Sequence, residues 1–237
     1  MAEVAFGRVD KTSTIAVHQL GDVYRDSVGR CFVYSKAGAS NLAQGKVTVS
    51  DNVVANHVNM SFAVAPTAGD TKISITLGAT AATADQYKDG WMVVNDGTGE
   101  GRLYPIGGNL SAGSAGTIVV YLKEAIATTG ALSQANVDLR ASKWNGNVIS
   151  ATDQADCPTG VPMVAVTAAY YYWSQTGGPA SVLADEPLDP VGSIVTIGSS
   201  VAGSVEELDA VAEPVIGEVM VVGVDTEYPM INLQIFV

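Results

Sequence analysis

Basic residues run out at Lys143. From Trp144 to Val237 the chain has no Lys or Arg, while twelve Asp and Glu fall in that stretch and account for the whole net charge of -12. A surface so one-sided in charge disfavours nucleic acid and anionic membrane as partners, because phosphates need cations and like charges repel. The partition predicts a two-faced binding protein, with an acidic side turned to solvent and a charge-balanced part, residues 1–143, free to dock.

Cysteine is scarce as well. Cys31 and Cys157 stand 126 positions apart, too few for a disulfide framework, and are expected as buried free thiols. No 18 consecutive apolar residues occur, which argues against a transmembrane helix. Glu3, Arg8, Asp10 and Lys11 interrupt the first twenty residues, so the apolar run of a secretory signal is missing. The expectation is a soluble chain made in the cytosol.

Catalytic signatures are missing too. His18 and His57 are the only histidines, and neither has a Cys, His or carboxylate at metal-ligand spacing. There is no G-x-S-x-G elbow, H-E-x-x-H helix or phosphate loop. The stretch from Asn95 to Gly101 is rich in side-chain oxygens but fails the EF-hand pattern, and its glycines fit a hairpin loop. The acid pairs Asp185-Glu186 and Glu206-Glu207 are adjacent, so on a strand or a helix they point apart and cannot flank one scissile bond. They read as solvated charge. No catalytic residue, metal site or cofactor is expected, and the chain is not expected to be an enzyme.

What the chain does have is valine: 33 Val against 12 Leu, with 25 Gly and 47 % hydrophobic residues. That bias favours strands joined by tight turns. Period-two alternation marks 71–77, where Ile73, Ile75 and Leu77 share one face, and 231–237. Further strands are predicted over 30–35, 46–50, 59–64, 90–94, 117–122, 163–167, 170–175, 191–197 and 218–224. The pairs Asp89-Gly90, Asp96-Gly97 and Asn145-Gly146 supply turns. Two short helices are predicted, over 82–87 and following Ser204, whose hydroxyl would cap a turn carrying Glu206 and Glu207.

The fold class is therefore mainly β: an antiparallel barrel or sandwich built from N- and C-terminal segments, with an inserted β domain. The predicted divisions are an N-terminal arm (1–16), a barrel or sandwich domain (17–50 plus 151–237) and the inserted unit (51–150). The outer segments need one another, because 17–50 alone has too few strands to be stable.

Aromatics make up only 7 % of the chain, yet four stand together as Tyr170-Tyr171-Tyr172-Trp173. On a strand, Tyr170 and Tyr172 face one way and Tyr171 and Trp173 the other. One aromatic face can be core; the second must pack on another layer, a partner or a sugar. Tyr171 and Trp173 are the subunit-interface candidates, with burial between the two β units as the other reading.

Several stretches resemble small structural proteins of tailed-phage heads. They include Gly29 to Ala39 with Ala43 to Gly45, Asp85 to Trp91, Gly97 to Gly101, and Tyr172 to Ala180 followed by Tyr228 to Leu233. The resemblance implies a capsid decoration, or cement, protein: a β-rich virion subunit, often trimeric, that sits on the outer surface of the head and binds the major capsid protein. On that reading Phe6, Arg8 and Lys11 of the arm are capsid-contact candidates, and the partners are the capsid and further copies of the chain, not nucleic acid or membrane. The alternatives are a carbohydrate-binding or host-attachment module using Tyr171 and Trp173 as a sugar platform, a tail-tube or head-completion protein, and a hydrolase.

Overall fold

The computed structural model describes residues 9–50, 53–127, 135–152 and 157–235. These form sixteen strands: β1 (Val23–Arg25), β2 (Cys31–Lys36), β3 (Thr48–Val49), β4 (Met60–Val64), β5 (Lys72–Thr76), β6 (Trp91–Asp96), β7 (Leu103–Asn109), β8 (Thr117–Leu122), β9 (Asn136–Arg140), β10 (Val148–Ile149), β11 (Pro158–Pro162), β12 (Tyr171–Ser181), β13 (Ile194–Ile197), β14 (Val205–Glu207), β15 (Gly217–Val221) and β16 (Met230–Gln234). Every pairing between them is antiparallel. The protein is mainly β. Among the described residues no helix is long and apolar enough to cross a membrane.

The chain divides into two compact units, one made of Met1–Asp51 with Lys143–Val237 and the other of Asn52–Ser142. Residues 143–150 go with the first because Val148 and Ile149 pair with Val49 and Thr48. Between them the units share the charge unequally: seven Lys and Arg against seventeen Asp and Glu in the first, five against seven in the second.

The second unit is a closed barrel in the order β4-β5-β8-β7-β6-β9, sealed where Met60 opposes Val137. Its strands close because their alternation sends one set of side chains inward: Ile73 and Ile75 from β5, Ile118 and Val120 from β8, Met92 and Val94 from β6, Val137 and Leu139 from β9, all nearly inaccessible. The predicted helix over 82–87 is absent. The segment is a turn with Asp85 and Asp89 at positive φ, and Tyr87 is held by its backbone N–H to Asn109 Oδ1 at 2.8 Å.

In the first unit a ten-stranded sheet runs β10-β3-β11-β12-β16-β15-β13-β14, with β2 and then β1 joined to β12. The eleven-residue β12 ties it together, pairing with β2 along Tyr171 to Gly177, with β11 at Ser174 and Gln175, and with β16 from Gly177 to Ser181. The helix predicted after Ser204 is instead β14, because Val205 is buried in the core and pairs with Ile197. Ser204 does not cap; its hydroxyl donates to the Val201 carbonyl at 2.6 Å. The strand predicted over 163–167 falls instead at Pro158–Pro162, where Gly160 is at φ +114 and a Cβ in its place would stand 2.5 Å from the Gln175 carbonyl oxygen. Cys31 is buried as expected, but Cys157 is exposed.

Candidate functional site

The aromatic run splits across two buried clusters of the first unit. Tyr172 packs with Ala37, Leu42 and Val166 on one face of β12. Trp173 packs on the other face with Phe32 and Tyr34, edged by Leu20, Tyr24, Met163 and Tyr171. Neither face of the strand is left open at these positions, with Tyr172 1 % and Trp173 3 % exposed. Trp173 is covered by its own chain, so it does not offer itself to a subunit or as a sugar platform. Tyr171 is the half-buried one.

The cover is the segment that precedes β1. Ser13 exchanges two backbone hydrogen bonds with Tyr171, of 3.0 and 2.8 Å, which fixes the root of the arm beside β12. The Ser13 hydroxyl accepts from the Ile15 N–H at 3.1 Å and donates to the Ile15 carbonyl at 2.8 Å, turning the chain. Val17 then donates its N–H to the Tyr34 hydroxyl at 3.1 Å, and Gly21 donates to the Tyr34 carbonyl at 3.0 Å. Gly21 sits at φ +92 with Trp144 against it, a position that only glycine occupies without strain.

These contacts border a half-open pocket of about 220 Å³ lined by Lys11, Thr12, Val17, His18, Tyr34, Tyr171 and Trp173. Its walls are rings. Tyr34 stacks on Tyr171 at 5.8 Å, while Trp173 meets Tyr34 edge-on at 5.2 Å. His18 lies 5.2 Å from both Tyr34 and Trp173, and Lys36 sits 5.3 Å above the Tyr171 ring. Burial raises the Tyr34 phenol above its ordinary pKa, the Val17 N–H opposing it.

Of the capsid-contact candidates, Phe6 and Arg8 lie outside the described residues. Lys11 is brought to the mouth of the same pocket as Tyr171 and Trp173 and pairs with Asp10 at 3.3 Å on the surface. The sequence alone singles out neither Tyr34 nor Val17, and it gives His18 no partner at metal-ligand spacing. Their meeting depends on the 13–22 segment folding back over β2, which no local spacing signals. Chemically the pocket is apolar with a polar mouth. His18 Nδ1 is 3.9 Å from Asp22 Oδ2, beyond hydrogen-bonding reach, so the two form no acid–base dyad here.

The remaining sequence candidates serve the fold. His57 is fully buried in the second unit, its Nε2 facing the Thr80 carbonyl at 2.9 Å and its Nδ1 the Tyr87 hydroxyl. Since a carbonyl only accepts, Nε2 carries the proton and Nδ1 accepts from Tyr87. Gly97, Gly99 and Gly101 all have positive φ in the β6–β7 hairpin, as a glycine-rich turn requires. No three of the described His, Cys, Asp and Glu residues gather as a metal would need.

The acid pairs are not simply solvated. Glu206 Oε2 accepts from Ser199 at both its N–H (2.9 Å) and its hydroxyl (2.7 Å). Asp185 Oδ2 accepts the N–H groups of Ser200 and Val201 at 3.0 and 3.2 Å. Glu207 takes the Asp189 N–H at 3.1 Å, and Glu186 takes that of Glu207 at 2.8 Å. Four carboxylates thus brace the turns around β13 and β14 by accepting backbone amides that the sheet leaves unpaired.

Comparison of the chain with protein families, curated proteins and solved structures returns no match.

Proposed function

We propose that this chain is a structural virion protein that binds the outer surface of a tailed-phage head and stabilises the capsid lattice. The observation that carries the reading is the use of polar chemistry in the first unit: its carboxylates brace turns and its aromatic cluster seats the root of an N-terminal arm. Such a unit is a rigid platform for binding. An arm rooted at Ser13 starts from a fixed point beside β12, so contacts made by Phe6, Arg8 and Lys11 would add to those of the platform without a second loss of translational and rotational freedom.

A protein that binds only the assembled, expanded shell stabilises that state by mass action, and several subunits bound together multiply modest contacts. We propose a homotrimer for that reason. With Trp173 buried, Tyr171 is what remains of the proposed aromatic contact between subunits.

The reading is tested by heating purified empty heads with and without the protein. Added protein should raise the temperature at which heads rupture, and deletion of residues 1–11 should lower that protection. Heads that rupture at the same temperature with saturating protein would overturn the reading.

A further inference from the structure

Six large apolar side chains stand exposed within eleven residues of one hairpin. Met220, Val221, Val222, Val224, Tyr228 and Met230 are each 40–55 % exposed. They occupy the end of β15, the connecting loop and the first residue of β16, with Val221 directly opposite Met230. Single exposed apolar residues are ordinary on a soluble surface. Six of them along one hairpin are more than the scattered single residues of an ordinary surface, and grouped exposed apolar residues are what an interaction site presents.

This hairpin is anchored. Leu188 donates its N–H to the Gly223 carbonyl at 3.0 Å, Ala184 to that of Glu227 at 2.9 Å and Val182 to that of Pro229 at 3.2 Å, while Thr226 donates back to Ala184 at 3.0 Å. Gly223 lies so close to Pro229 that a Cβ would come within 2.8 Å of it. The apolar side chains are therefore held on a fixed backbone, and a partner meets a surface whose ordering is already complete.

Charge decides what that partner is. Glu218, Asp225 and Glu227 are the ionisable groups of residues 217–230 apart from Tyr228, and Lys46, which follows the Gly45 that Tyr228 packs against, is engaged by the Ala202 carbonyl at 2.9 Å. Two copies of the hairpin facing each other would set these acids against one another, which disfavours self-pairing. The complementary surface is apolar and edged by cations. We propose that the β15–β16 hairpin is a docking surface for a protein that presents an apolar patch rimmed by Lys or Arg. Resting on the head-binding reading above, that protein is the major capsid protein. The acid-rich region then contributes a contact of its own, where its charge alone predicts a face turned to solvent.

The test is co-sedimentation with empty heads assembled without this protein, at low and high salt. Replacing Val221, Val222 and Val224 together by Thr keeps the β-branched shape and should weaken binding about tenfold or more, the loss of about 1.4 kcal/mol or more, with an unchanged melting profile. Asp225→Lys with Glu227→Lys should weaken binding at low salt and do so less at high salt. If the native chain binds heads and the triple variant binds equally well, the hairpin proposal is overturned and the head-binding reading stands. If the native chain does not bind heads at all, both fall. Self-association of the native chain that the Thr changes abolish would overturn the choice of partner.

Discussion

The rings of Tyr34 and Tyr171 lie 5.8 Å apart and only 7° from parallel, joining β2 to β12 on the face where Trp173 is buried. Stacked and edge-on pairs of this kind stabilise beyond the area they bury. They also place the covering segment, since Tyr34 is the residue that holds Val17 and Gly21.

Truncating the two aromatic residues should separate core from rim. Trp173→Ala should cost about 3–5 kcal/mol of stability, as large aromatic deletions in a core do, whereas Tyr171→Ala, at a half-buried position, should cost clearly less. Thermal or urea denaturation decides it. Equal and small losses would show that Trp173 is not core.

Loss of the Tyr87 hydroxyl leaves His57 Nδ1 without its donor in a buried site. Tyr87→Phe should therefore destabilise the barrel by about 1–3 kcal/mol, although the ring volume is almost unchanged. A variant as stable as the native chain would contradict the pairing.

Burial also pushes the Tyr87 phenol up to about 12. A phenol that ionises more easily in the unfolded chain, near 10, favours the folded state below that pH, and the advantage fades as pH rises toward 12. Alkaline unfolding should accordingly set in between these values, with Tyr87→Phe reducing the steepness. Phenolate absorbance together with circular dichroism follows both. Ionisation of all nine tyrosines near 10 with the fold intact would count against it.

At the other end of the pH scale, Asp26 bonds Arg30 Nε at 2.7 Å and the Arg30 and Val28 N–H groups at 2.8 and 3.1 Å. Burial acts to raise its pKa, but the bonds to Arg30, that residue's charge and the Val28 bond together hold it below the ordinary carboxylate value. A depressed carboxylate adds stability above the unfolded pKa and loses it as pH falls through the folded one. Asp26→Asn should lower stability at neutral pH and shrink its fall below about pH 4. Parallel pH curves for the two proteins would refute this.

The turn carboxylates make a further test. Glu206→Ala should lower the melting temperature because Ser199 then loses an acceptor for two donors, a cost of about 1–3 kcal/mol for hydrogen bonds to a charged group. Asp209→Ala, at an exposed position, should change little. Equal effects would return Glu206 to the status of surface charge.

Strands such as Lys72–Thr76 were legible because apolar and polar residues alternate along them, with Ile73 and Ile75 turned into the barrel. Leu103–Asn109 was not, since Pro105, Gly107 and Gly108 read as loop. In the barrel Pro105 nevertheless pairs opposite Trp91, and Gly108 leaves room for the Asp85 carboxylate, 2.7 Å from where a Cβ would stand. The two predicted helices failed for a related reason: helix propensity and capping are local, but Val205 and Tyr87 are positioned by burial and by partners far along the chain. Of the site, the aromatic strand was visible as four adjacent residues. Its cover was not, because the contact of Val17 with Tyr34 and of Ser13 with Tyr171 spans 17 and 158 positions.

The most direct measurement is to titrate the purified chain onto empty expanded heads that lack it and to locate the bound protein by electron microscopy. The account predicts saturable binding, with density on the outer surface at regular lattice positions and none inside the shell or on the tail. Absence of binding at micromolar protein, or density confined to the interior or the tail, would contradict it.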